Sequence, residues 1–180
     1  MQYQLSIHGE PTGKSGRMWA TFMSGGDNED PCYGAYVPVI TSADGGKTWS
    51  EKIRVPLTAP HGPIRRKDGS FLYFGRSFHA QDTGYEPKRV YAAQSLDGGK
   101  TWEDAKFVIG AKPSADKKEK QAHWAFPAVS KSGRIYLFYY REVEVVEFDR
   151  QITGIFSCVY SDDFGDSWSE SYDVPLRVTP

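Results

Sequence analysis

The sequence predicts an all-β fold built from three repeated, four-stranded antiparallel sheets, and three observations carry that prediction. An eight-residue motif occurs three times. Each copy follows, at a nearly fixed distance, a glycine that opens a strand rich in aromatic and aliphatic residues. No segment keeps a 3.6-residue apolar period over several turns, while aromatics at 14% with 18 glycines and 11 prolines suit short strands joined by turns.

The motif reads Ser42-Ala-Asp44-Gly-Gly46-Lys-Thr48-Trp49, then Ser95-Leu-Asp97-Gly-Gly99-Lys-Thr101-Trp102, then Ser161-Asp-Asp163-Phe-Gly165-Asp-Ser167-Trp168. These residue types suit a turn between strands. The carboxylate accepts hydrogen bonds from turn N–H groups, the hydroxyls tie down further backbone, and glycine takes the positive φ of the bend. The tryptophan packs beside the hairpin as a large apolar anchor.

The repeat extends upstream. Gly16, Gly69 and Gly133 each open a strand, and they precede the motif aspartates by 28, 28 and 30 positions. A further strand runs into each motif, at 34–42, 89–95 and 154–161, and a short outer strand follows at 52–55, 106–109 and 171–174. With an inner strand ahead of each glycine, the three units span about 1–57, 58–110 and 120–178, and the polar stretch 111–120 joins the last two.

The motif is similar to the Asp box, or BNR repeat, and the chain resembles the sialidase superfamily over its whole length. The resemblance implies a β-propeller of sialidase type whose three four-stranded antiparallel blades are half of a six-bladed ring. It also implies that Asp44, Asp97 and Asp163, with Trp49, Trp102 and Trp168, are structural rather than catalytic. Half a ring leaves apolar blade faces without neighbours, so either this is part of a longer chain or two copies pair as a homodimer.

Bulk properties narrow the partners. Lys+Arg 22 against Asp+Glu 23 leaves a net charge of −1 with no long basic cluster, which argues against nucleic acid and membrane surfaces. The N-terminal stretch has neither the basic nor the apolar region of a secretory signal, so the chain as given is expected in the cytoplasm. Cys32 and Cys158 lack metal-site spacing and are expected to be packed thiols; no cofactor or metal is expected.

In an antiparallel blade, the start of the inner strand and the loop between the second and third strands share one face of the disc. Those loops are long, at 24–33, 77–88 and 141–150, and long loops on a rigid scaffold are where binding concentrates. His8, His61 and His123 occupy one repeat position at the start of each inner strand. They either face a ligand or bond a neighbouring blade. Arg76 and Arg141 are placed at the ends of second strands, where a guanidinium either clamps a carboxylate such as that of a sialic acid or pairs with a loop acid. Of Arg65 and Arg66, alternation sends only one toward the channel.

Asp27 and Asp30 lie in the first of these loops, where the resemblance implies an acid/base aspartate that protonates a leaving glycosidic oxygen. The neighbouring Tyr85 and Glu86 are read as a coincidence. The arginine-isoleucine-proline stretch of sialidases is missing, with Leu5-Ser-Ile-His8 in its place, and no complete catalytic set is present in this chain. Three functions follow as alternatives: a sialidase-like exo-glycosidase or its degenerate relative, a non-catalytic propeller that binds glycan or protein, and an inactive half-propeller that self-associates.

Overall fold

The structure is a computed structural model, and it describes residues 4–9, 18–23, 39–57, 59, 61–76, 89–110, 117–145 and 152–175. Strands there form three antiparallel sheets in chain order, and the all-β class is the one the repeat predicts. The first sheet holds β1 (Gln4–Gly9), β2 (Met18–Met23) and β3 (Val39–Ser42). The second runs β4 (Ile64–Arg65), β5 (Phe71–Gly75), β6 (Arg89–Ser95) and β7 (Lys106–Gly110). The third runs β8 (Lys117–Val129), β9 (Ile135–Val145), β10 (Ile152–Ser161) and β11 (Tyr172–Asp173). In the first sheet the expected fourth strand is reduced to one bridge, in which Val39 and Ile53 exchange backbone bonds of 3.0 and 2.7 Å.

Two differences from the sequence reading concern the third sheet. Strand β8 starts at Lys117, inside the stretch read as a connector, and β9 runs to Val145, inside the stretch read as a loop. The cause is mutual: Lys117 stands opposite Val145 and Lys118 opposite Glu144, so each extension satisfies the other's backbone.

The core consists of two inter-sheet layers, because each middle strand is apolar on both sides. From β5, Phe71 and Tyr73 join Val39, Val55 and Leu57 against the first sheet. The alternate residues Leu72 and Phe74 meet Ile135, Leu137, Tyr139 and Val159 of the third. Burying each such side chain contributes about 1.5–3 kcal/mol.

The motif tryptophans extend these layers in a consistent direction. Trp102 packs in the layer shared with the first sheet and meets Tyr73 edge-on at 5.9 Å. Trp168 packs in the layer shared with the second sheet and meets Phe74 edge-on at 5.7 Å. Trp168 therefore wedges against the preceding blade, and Trp102 joins the layer built from its own blade and the one before.

Candidate functional site

The three motif turns have one geometry. In the first, the Ser42 hydroxyl donates to Asp44 Oδ1 at 2.8 Å and accepts from Gly46 N at 2.8 Å. Backbone N–H groups of Lys47 and Thr48 donate to Asp44 Oδ1 at 3.0 and 2.9 Å, and the Thr48 hydroxyl donates to Oδ2 at 2.7 Å. Ser95, Asp97, Gly99, Lys100 and Thr101 repeat this set in the second turn. In the third, Ser161, Gly165 and Ser167 bond around Asp163 in the same way. Each aspartate is engaged through both carboxylate oxygens by its own turn, which is a structural role.

These bonds favour the ionised carboxylate. Asp44 is lowered to about 2, chiefly by the Thr48 N–H, and Asp163 to about 2, chiefly by the Ser167 hydroxyl. Asp97 is lowered further, chiefly by the Thr101 hydroxyl. Because the folded values lie below the ordinary 3.8, the stabilisation is complete above that value and is lost as pH falls from about 4 toward 2. Melting temperature is expected to drop steeply across that window and to be flat from pH 5 to 7. In Asp97→Asn the neutral-pH melting temperature should be lower and the acid slope shallower; an unchanged slope would remove the turns from the acid response.

The histidines do not share the expected place at the start of an inner strand: the longer turn between β1 and β2 puts His8, opposite Trp19, one residue from the end of β1 on the motif-turn side, and the long β8 puts His123, opposite Tyr140, in the middle of its strand. His61 lies just ahead of β4, and its ring centroid is 3.6 Å from that of Phe126 on the next blade's inner strand. At His61, the repeated histidine therefore makes an inter-blade contact. Among the described residues, no group of three or more His, Cys, Asp or Glu is placed to hold a metal ion.

Strand β8 breaks its alternation beside His123. Ala122 and Ala125 are both buried in the core, three residues apart where a regular strand needs an even spacing, and the pairing register shifts between His123 and Phe126. The irregular segment holds Trp124 at φ 55°, a left-handed conformation that a bulky residue rarely adopts, and leaves its side chain 63% exposed. Such strain costs on the order of 1–3 kcal/mol and is concentrated at ligand sites. Phe126, two residues on, is also exposed. Sequence reasoning missed this platform, although the odd spacing of alanines in an inner strand was the available signal.

The arginines divide. Arg76, directly after β5, is half-buried; burial lowers its pKa and the charge of Glu142 on β9 opposes that shift. Arg141 does not end its strand as the sequence suggests. It lies inside β9, paired with both Ala122 and Ile155, instead of ending a strand. Its Nε donates to Ser157 Oγ at 2.8 Å and its Nη2 pairs with Asp173 on the outermost strand. These contacts turn that edge of the guanidinium toward the outermost strand, and the acid it pairs with is a strand residue instead of a loop acid. Arg65 stands opposite Phe71 in β4 and is exposed.

Arg66 is buried and bonded to Ser70, Gln94 and the Phe164 carbonyl, which makes it an inter-blade tie on the motif-turn side. Cys158 is a buried thiol, its pKa raised by burial. Asp27 and Asp30, with Cys32, Tyr85 and Glu86, lie outside the described residues.

The BNR/Asp-box repeat family matches residues 40–51 and 159–170, the first and third turns. Comparison with curated protein sequences finds no match. An α-L-arabinofuranosidase of Fusarium graminearum, solved with an iminosugar inhibitor, is 19% identical with a TM-score of 0.61, over 94% of this chain and 47% of that one. An α-L-arabinanase of Penicillium chrysogenum, complexed with arabinobiose, is 20% identical with a TM-score of 0.60, over 96% and 49%. A polysaccharide lyase, an ulvan lyase, is 14% identical with a TM-score of 0.55, over 92% and 40%. At these identities the likeness is one of fold, and the chain spans about half the length, or less, of the structures it matches.

Proposed function

We propose that this chain contributes half of an Asp-box propeller that takes a glycan at its mouth and, once the ring is complete, acts on it as a glycoside hydrolase. The observation that carries the reading is Trp124, a strained and exposed indole on an inner strand beside Phe126, since aromatic faces of this kind stack on sugar rings. The fold likeness to glycosidases supports it. Within this reading a sialidase-like activity assigns Arg76 to the sugar carboxylate and Asp27 or Asp30 to the acid/base role. In this reading His61 and His123 lie nearer the approach, whereas His8 and Arg65 end their inner strands on the motif-turn side. Either a second copy or the remainder of a longer chain supplies the missing blades. A second reading, binding without hydrolysis, is favoured by Arg141, whose pairing with Asp173 removes one member of a carboxylate clamp.

The test is titration of the chain with N-acetylneuraminic acid and with arabino-oligosaccharides, followed by NMR and by release of reducing sugar. Binding is expected to weaken at least tenfold in Trp124→Ala for every ligand. In Arg76→Ala it should weaken for the acidic sugar alone. Binding without sugar release selects the second reading, and a chain that takes up none of these sugars overturns both.

A further inference from the structure

The turns that join the first two strands of each blade are basic, and we propose that they form a docking surface for a sulfated or carboxylated polysaccharide, on the side opposite the long loops. The inference is independent of any glycan at the mouth.

The net charge of −1 hides a separation of charge along the strands. The segments 14–17, 65–68 and 131–134 carry seven basic residues against the single acid Asp68. The stretches 24–33, 77–88 and 141–150 carry nine acidic residues against three basic ones. These two sets belong to opposite strand ends: the β4–β5 and β8–β9 turns close one end of their sheets, and the β5–β6 and β9–β10 connections close the other. A chain of many negative charges is therefore steered away from the mouth and toward the turns.

The basic character is part of the repeat. A lysine stands two residues before each turn glycine, as Lys14, Lys67 and Lys131. Lys14 lies outside the described residues, and the other two occupy turns of one geometry. Gly69 N donates to Arg66 O at 3.0 Å and Arg66 N to Ser70 O at 2.8 Å; Gly133 N donates to Ser130 O at 3.0 Å and Ser130 N to Arg134 O at 2.9 Å. Lys67 and Lys131 are thus presented at the same place on neighbouring blades, and both are exposed.

The two turns touch. Lys67 Nζ donates to the Ser132 carbonyl at 2.6 Å, which carries its ammonium onto the next blade, beside the residue that follows Lys131. A Cβ built on Gly133 would lie 3.0 Å from Lys67 Cε, so the lysine stem is laid against that turn. Arg65, exposed at the end of β4, adds a third cation. The neighbouring acids are engaged locally: Asp68 accepts from Ser70 N and lies 3.9 Å from Arg66, Asp162 is held by Arg134 through both oxygens, and Asp163 is bonded within its own turn. Like charges held close repel, so an anion placed among them is favoured.

The chemistry of the turns selects among polyanions. Nucleic acid binding uses aromatic side chains on which bases stack, and a bilayer surface takes up tryptophan, phenylalanine or leucine. None of the three basic segments holds an aromatic or large aliphatic residue. Ammonium and guanidinium groups alone suit a chain of sulfate or carboxylate groups.

The test is calorimetric titration of the chain with a heparin oligosaccharide at about 0.1 M salt and above. Affinity is expected to fall steeply with salt, and Arg65→Glu combined with Lys131→Glu should weaken it about tenfold or more with circular dichroism unchanged, since both positions are exposed. The matched change of charge in the motif turns, Lys47→Glu with Lys100→Glu, should alter it little. Should the first pair fail to fold, lysine acetylation of the wild type decides the matter: the oligosaccharide is to protect Lys67 and Lys131 and to leave Lys47 and Lys100 reactive. No binding at about 0.1 M salt, an affinity indifferent to the turn variant, equal protection of all four lysines, or tighter binding of single-stranded DNA or phosphatidylserine vesicles overturns the proposal.

Discussion

Replacing Phe74 by alanine is expected to destabilise the chain by about 3–5 kcal/mol, the range for truncating a buried phenylalanine. Phe74 is 1% exposed and lies where the second and third sheets meet, against Trp168, so its loss opens a cavity at an inter-blade junction. The surroundings cannot easily collapse into it, because Leu72 on one side and Leu137 on the other are held in ladders by their own strands. Urea unfolding followed by circular dichroism measures the effect as a shift of midpoint at constant slope. Trp49→Ala serves as the internal contrast, since the same type of wedge residue, exposed in the single chain, should cost the monomer far less. Equal losses at the two positions would show that the junction adds nothing to the local packing of a box.

The sequence exposed those parts of the fold whose chemistry is local. Ser42, Asp44, Gly46 and Thr48 bond among themselves within a few residues, so the pattern of types carries the turn geometry, and the same holds at Asp97 and Asp163. The both-sided burial of β5 was legible for a similar reason, since Phe71-Leu-Tyr-Phe74 has no polar alternation to hide. Arg141 was not legible as an internal tie. Its partner Asp173 lies 32 residues away on the outermost strand, and nothing local marks that strand as reaching back to it. Trp124 was hidden by the assumption of regular alternation, which a single extra residue in β8 breaks. The proposed acid/base residues Asp27 and Asp30 remain readings of the sequence.

Arg66→Ala is the second large expected loss, about 3–5 kcal/mol for three acceptors left without their donor, and it tests whether the motif turns are tied to their neighbours or merely stand beside them. The guanidinium is almost fully removed from water and each of its nitrogens has an acceptor: Nε donates to Ser70 Oγ at 2.6 Å, Nη1 to the Phe164 carbonyl at 2.9 Å, and Nη2 to Gln94 Oε1 at 2.5 Å. Two of these acceptors belong to its own blade, while Phe164 lies 98 residues further on, in the third motif turn. At that turn the chain places a phenylalanine at φ 63°, where the second motif has Gly98 at φ 79°. A non-glycine residue there costs on the order of 1–2 kcal/mol, and a charge-assisted bond to its carbonyl offsets that cost. Alanine at 66 would leave three acceptors without their donor and a strained turn without its tie. Lysine is expected to recover little, because one ammonium on a flexible stem cannot meet three acceptors held in a fan. The strain gives the experiment a second arm: Phe164→Gly relieves the turn, so in that background Arg66→Ala should cost measurably less than in the wild type. A double-mutant cycle from urea midpoints reads the difference directly. Strict additivity of the two substitutions would mean that the bond from Arg66 to this carbonyl does not offset the strain at residue 164.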